Sequence, residues 1–179
     1  MREIVRLLLQ IALLKRGPQD LPVSRTLLAL TACAYAGLTA LVSGLLPPPD
    51  STAPRTAVSP LPLAVEIAFT LAWYVVVLAL LGRRERFLQT TSAVFGVQTL
   101  LMQPLLLSVW LMRRYGQDAT WQLPIAVAGL AVVIWLIAAN SHIVKAALEW
   151  SSAASVALVI LQIVSGQLLL FTLFPPVPG

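Results

Sequence analysis

Five mostly apolar runs, at 26–46, 61–81, 88–112, 124–139 and 153–174, divide this chain, and short stretches holding charges, prolines or glycines separate them. About 20 apolar residues in a helix span about 30 Å, the thickness of a bilayer's hydrocarbon core. Within that core the backbone amides must be satisfied internally, as they are in a helix. Composition agrees: 59% of the residues are hydrophobic, 11% are charged and the mean hydropathy is +0.88, whereas soluble domains carry about 25% charged residues. The expected fold is all-α: a polytopic membrane helical bundle of five transmembrane helices, preceded by an amphipathic interfacial N-terminal helix. Residues 1–25 form the anchor and turn, and 26–179 the five-span membrane domain, with no room for a sizeable soluble domain.

In the anchor, Arg2, Glu3, Arg6 and Gln10 share one narrow stripe at 3.6-residue spacing, and Ile4, Val5, Leu7, Leu8, Ile11, Ala12 and Leu14 cover the rest. The apolar stretch is too short to span a membrane. A cleaved signal peptide would also begin basic and apolar, but here Lys15-Arg16 follows the apolar stretch and no small-residue cleavage site appears. The reading is a helix lying in the interface, with Arg2, Arg6, Lys15 and Arg16 contacting anionic headgroups. A second reading packs this helix under the bundle, and the two are compatible. Gly17-Pro18 stops the helix, and Asp20 or Ser24 can cap the next one.

Basic residues set the orientation. Arg2, Arg6, Lys15, Arg16, Arg25, Arg83, Arg84, Arg86 and Lys145 fall on one side of alternating spans, and Arg55, Arg113 and Arg114 on the other. The positive-inside rule therefore places the N-terminus in the cytoplasm and the C-terminus across the membrane. A re-entrant third or fourth span would return the C-terminus to the cytoplasm. Because the basic residues sit at the ends of apolar runs, the net charge of +5 points to membrane orientation and not to nucleic acid.

Small residues recur along the first span at Ala32, Ala36, Ala40 and Gly44, beside a ridge of Ala29, Cys33 and Gly37. Such ladders allow close helix approach, which is what holds helices together in lipid. This span is expected inside the bundle or at a contact with another copy or a membrane-protein partner. The second span carries Glu66, with Thr70, Trp73 and Tyr74 on its face. An acid at membrane depth is a functional candidate, although one near a helix end can also snorkel to water or serve the helix dipole. In the third span Ser92, Gly96, Thr99 and Gln103 fall on one face, and Pro104 frees the carbonyl of Leu100. Ser151 and Ser155 continue through Gln162 and Gly166 in the fifth. Glu66, Gln98, Gln103, Gln162 and Gln167 are the candidate polar intramembrane residues, either bonding helices together or lining a path for a small solute. Asn140, Ser141 and His142 follow the fourth span, and Lys145 and Glu149 have the i, i+4 spacing of an ion pair. The short connection there predicts an antiparallel hairpin.

Catalytic patterns are missing. There is no phosphate-binding loop, His-x-x-x-His or Cys-x-x-Cys pair, and no serine lies in Gly-x-Ser-x-Gly. One histidine and one cysteine in different spans do not make a metal site, and the lone Cys33 says nothing about redox compartment. A non-enzymatic protein without cofactor or metal is expected, acting by helix–helix association in membrane organisation or trafficking. The alternative is a small-solute permease or channel.

The five-span plan with an amphipathic N-terminus, and the stretch WLIAANSHIVKAALEWSSAASVALVI from Trp135, resemble the Yip family of small membrane proteins and the fourth-to-fifth span hairpin of its bacterial members. The Asp-Leu-Tyr-Gly-Pro type motif of eukaryotic members is absent, so their Rab-linked role is not carried over. The resemblance implies a membrane-organising or partner-binding protein of the bacterial inner membrane, and it transfers no functional residue.

Overall fold

A computed structural model describes residues 2–45 and 60–175. The proline-rich loop expected at 47–60, with Arg55 but apart from Pro60, lies outside the described residues, as does 176–179. The elements are α1 (Arg2–Ala12), a 3-10 turn (Pro18–Asp20), α2 (Arg25–Leu45), α3 (Leu61–Leu80), a 3-10 turn (Arg84–Arg86), α4 (Phe87–Tyr115), α5 (Ala119–Leu148) and α6 (Ser152–Leu173). No strand occurs among the described residues. Helices α2 to α6 are all long and apolar enough to cross a membrane.

Local chemistry sets the helix starts. Ser24 Oγ accepts from the Leu27 amide at 3.3 Å, Asp118 Oδ1 from the Thr120 amide at 2.9 Å, and Ser151 Oγ from the Ala154 amide at 3.3 Å. Each satisfies an amide that has no partner within its own helix. Pro62 stands in the first turn of α3, where its missing N–H costs nothing.

The fourth span differs most from expectation. Its apolar run stops at Ala139, yet α5 continues to Leu148. Asn140 Nδ2 and Ser141 Oγ donate back to the Leu136 and Ile137 carbonyls at 3.0 and 2.7 Å, so these polar side chains are buried without ending the helix. The expected Lys145–Glu149 pair is not formed. Glu149 ends α5 in the left-handed conformation, φ 59°, which takes its side chain off the i, i+4 path. Arg83 and Arg86 each hold its carboxylate at 2.6 Å, and Lys145 Nζ donates to Ser152 Oγ at 2.9 Å. Arg86 also donates to the Ala146 and Ala147 carbonyls at 3.1 and 3.0 Å, covering the C-terminus of α5.

The hydrogen bond from Arg86, with the charge of Arg83 beside it, holds the Glu149 carboxyl below its ordinary pKa. A lowered folded value means that the clasp contributes fully above the unfolded carboxylate value and is lost as pH falls through the lowered one. Amide-exchange protection of the turn at 82–86 should therefore decline in acid. Glu149→Gln should show weak protection at every pH and lose that dependence; an acid decline persisting in the variant would assign the effect elsewhere.

Helix α4 forms the centre. Thr90 through Val97 are all buried, because α1, α2, α3 and α5 each pack against α4. Three segments meet at one end of the bundle: the N-terminal segment, the turn before α4 and the α5–α6 connection. Leu8, Ile11, Ala12 and Leu21 are buried there. Trp135 Nε1 donates to the Ala12 carbonyl at 2.7 Å, and Gln89 Nε2 donates to the Gln19 and Leu21 carbonyls at 3.2 and 2.7 Å. His142 Nε2 lies 3.0 Å from the Arg16 carbonyl, which can only accept, so Nε2 is the donor. The N-terminal segment is thus docked onto α4 and α5 by three side chains that supply its free carbonyls with donors. Arg2, Arg6, Lys15 and Arg16 remain exposed. Elsewhere large apolar side chains such as Leu123, Leu130, Leu161, Leu168 and Phe171 face outward, a surface that suits hydrocarbon and not water.

A polar pocket between α3, α4 and α6

On α3, Glu66, Thr70 and Tyr74 follow one another at four-residue spacing and so stack along the inward face; Thr70 and Tyr74 are buried. Glu66, Thr70 and Phe69 form one wall of a cavity of about 100 Å³. Gln98 of α4 and Gln162, Ile163, Gly166 and Gln167 of α6 complete it. From α2, Tyr35 Oη donates to Glu66 Oε1 at 2.6 Å. The Tyr35 ring is itself held by Phe95, with centroids 5.7 Å apart at 46°. Phe69 is able to close its wall because position 166 is glycine: a Cβ there would stand 3.2 Å from Phe69 Cε1.

Four of the five candidate polar residues therefore meet. Gln98 is half-buried, Gln167 stands at the exposed rim, and Gln162 is only 9% exposed. Gln162 nevertheless has no hydrogen-bond partner for its side-chain amide among the described residues. Gln103 is exposed and lies apart, because five residues beyond Gln98 turns a helix by about 140°. Tyr35 and the lining role of Thr70 are additions. A signal for Tyr35 exists in α2, whose larger residues Leu27, Thr31 and Tyr35 recur every fourth position.

Those three residues are also the buried side of α2. The ladder expected inside the bundle or at a contact with another copy or partner is not the face that α2 packs within the chain. Ala32 and Ala36 are half-buried at its edge and Ala40 is exposed, while the surroundings of Gly44 lie outside the described residues. Ala29, Cys33 and Gly37 are exposed, and a Cβ built at Gly37 would meet nothing within 4 Å. The larger ridge wins within one chain because it buries more surface against α4 and adds the Tyr35–Glu66 bond to α3.

Two further cavities are apolar. One of about 250 Å³ lies between α1, α2 and α4, where Thr31 and Thr99 turn their hydroxyls back to the Leu27 and Phe95 carbonyls. The other, about 450 Å³, lies between the α4 and α5 ends at Tyr115 and Trp121. Among the described residues no three His, Cys, Asp or Glu side chains cluster as metal ligands. Five helices long and apolar enough to cross a membrane, three of which line a polar pocket, have the architecture of a multi-pass membrane protein. No protein-family model matches the chain, and no curated protein or solved structure is significantly similar to it.

Proposed function

We propose that this membrane protein binds a small polar solute in the pocket formed by Glu66, Gln98, Gln162 and Gln167, and acts as a permease for it without chemical conversion. The observation that supports this is Gln162, a residue only 9% exposed that lines the pocket and whose side-chain amide has no partner among the described residues. A polar solute in the pocket supplies that amide with hydrogen bonds. In this reading α1 lies in the cytoplasmic interface with Arg2, Arg6, Lys15 and Arg16 toward anionic headgroups. The C-terminus is on the opposite side of a cell membrane. Purified protein in sealed vesicles should pass small polar solutes, and Glu66→Gln should abolish the flux. Vesicles that stay impermeable to such solutes would rule the reading out.

A second reading, association with another copy or membrane protein in a Yip-like organising role, draws on the open face of α2 at Ala29, Cys33 and Gly37. Close packing of small residues is a general means of helix association in lipid. Gly37→Leu with Ala40→Leu should then lower the native mass in mild detergent, and an unchanged mass would count against it.

A further inference from the structure

We infer that the solute of this pocket is a small monovalent cation, an alkali-metal ion, held by the Glu66 carboxylate and the side-chain carbonyl oxygens of Gln98 and Gln162. This rests on the reading of the pocket as a solute site. Among the described residues Glu66 is the single charged residue of the lining. Among the described residues it has no ion-pair partner, and its one hydrogen bond, from Tyr35, engages Oε1 and leaves Oε2 for the pocket. A carboxylate within an apolar span is stabilised by a compensating charge, and a single positive charge supplies it. Amide carbonyls are neutral hard-oxygen ligands that replace part of a cation's hydration shell, as carbonyl rings do in selective channels. A calcium ion takes about six to eight oxygen ligands, and among the described residues no Asp or Glu besides Glu66 lines the pocket. The cavity of about 100 Å³ has room for a small ion together with water that completes its shell. Gln162 fits the same role: its carbonyl has no donor among the described residues and is open to a ligand in the pocket.

The test is titration of the detergent-solubilised full-length protein with NaCl or KCl, exchanged against choline chloride at constant ionic strength, followed by calorimetry. Acetamide serves as the neutral polar probe. Saturable binding of Na+ or K+ is expected, weakened about tenfold or more, about 1.4 kcal/mol, in both Glu66→Gln and Gln162→Leu. Glu66→Asp, which keeps the charge, should retain binding, and Gln103→Leu should leave it unchanged. Each variant must elute like the parent on gel filtration, and Glu66→Asp keeps the test decisive if another variant does not. Absence of alkali-ion binding, or binding indifferent to Glu66→Gln, overturns the inference. Acetamide binding without alkali binding overturns the cation while leaving the solute pocket standing. If neither probe binds and vesicles remain tight, both fall.

Discussion

Gly96→Leu should release α1 from the bundle. Leu8 reaches over Gly96 so closely that a Cβ at that position would lie 2.6 Å from Leu8 Cδ2 and 2.8 Å from Cδ1. Leu8 and Gly96 are both buried, and Gly96 sits in the fully enclosed part of α4. An alanine there only asks Leu8 to change rotamer, whereas a leucine adds a branched side chain to space already filled. Overpacking of this kind costs about 1–3 kcal/mol, and here it falls on a short helix held by few buried side chains. Limited proteolysis should cut after Lys15 or Arg16 much faster in Gly96→Leu than in the parent. Leu8→Ala with Gly96→Leu should restore protection by reopening the space. Equal cleavage of the parent and Gly96→Leu would show that α1 is held by the Trp135, His142 and Gln89 hydrogen bonds alone.

Tyr74→Ala should be the most destabilising single change in α3, and Tyr74→Phe should cost nothing. The ring is among the largest fully buried side chains and packs in the same core as Leu78, Val94 and Ile143. Truncating a buried aromatic to alanine costs about 3–5 kcal/mol through the cavity it leaves. In contrast, the Tyr74 hydroxyl is buried without a hydrogen-bond partner among the described residues. Removing an unpaired buried hydroxyl removes its desolvation cost, so Tyr74→Phe should be neutral or stabilising. Thermal unfolding in detergent distinguishes the two variants. A loss in Tyr74→Phe comparable to that in Tyr74→Ala would mean that the hydroxyl has a partner after all.

The contrast between Gln98 and Gln103 shows how far a sequence can be read in such a bundle. Both are glutamines in one apolar span, yet only Gln98 reaches the pocket. Helical spacing gives their angular separation but not which direction is inward. For Glu66 the signal was stronger, since Thr70 and Tyr74 share its face and a lone acid in an apolar run is conspicuous. Its partner Tyr35 is thirty-one positions away on another helix, and its pairing with Glu66 is decided by packing. Glu149 likewise has a plausible local partner in Lys145, but the left-handed end of α5 hands it to Arg83 and Arg86 instead.

The presence of five long apolar helices was written in the sequence, because spanning length and internal backbone satisfaction are local properties of an apolar run. Which faces those helices bury was decided only by the tertiary structure. In lipid both the surroundings and the neighbouring helices are apolar, so α3 to α6 carry little inside-to-outside pattern to read. The exposed ladder Ala29, Cys33, Gly37 and the buried ridge Leu27, Thr31, Tyr35 lie on the same helix. Contact with α3 and α4 chose between them, and in doing so brought Tyr35 to Glu66 beside the glutamines of α4 and α6.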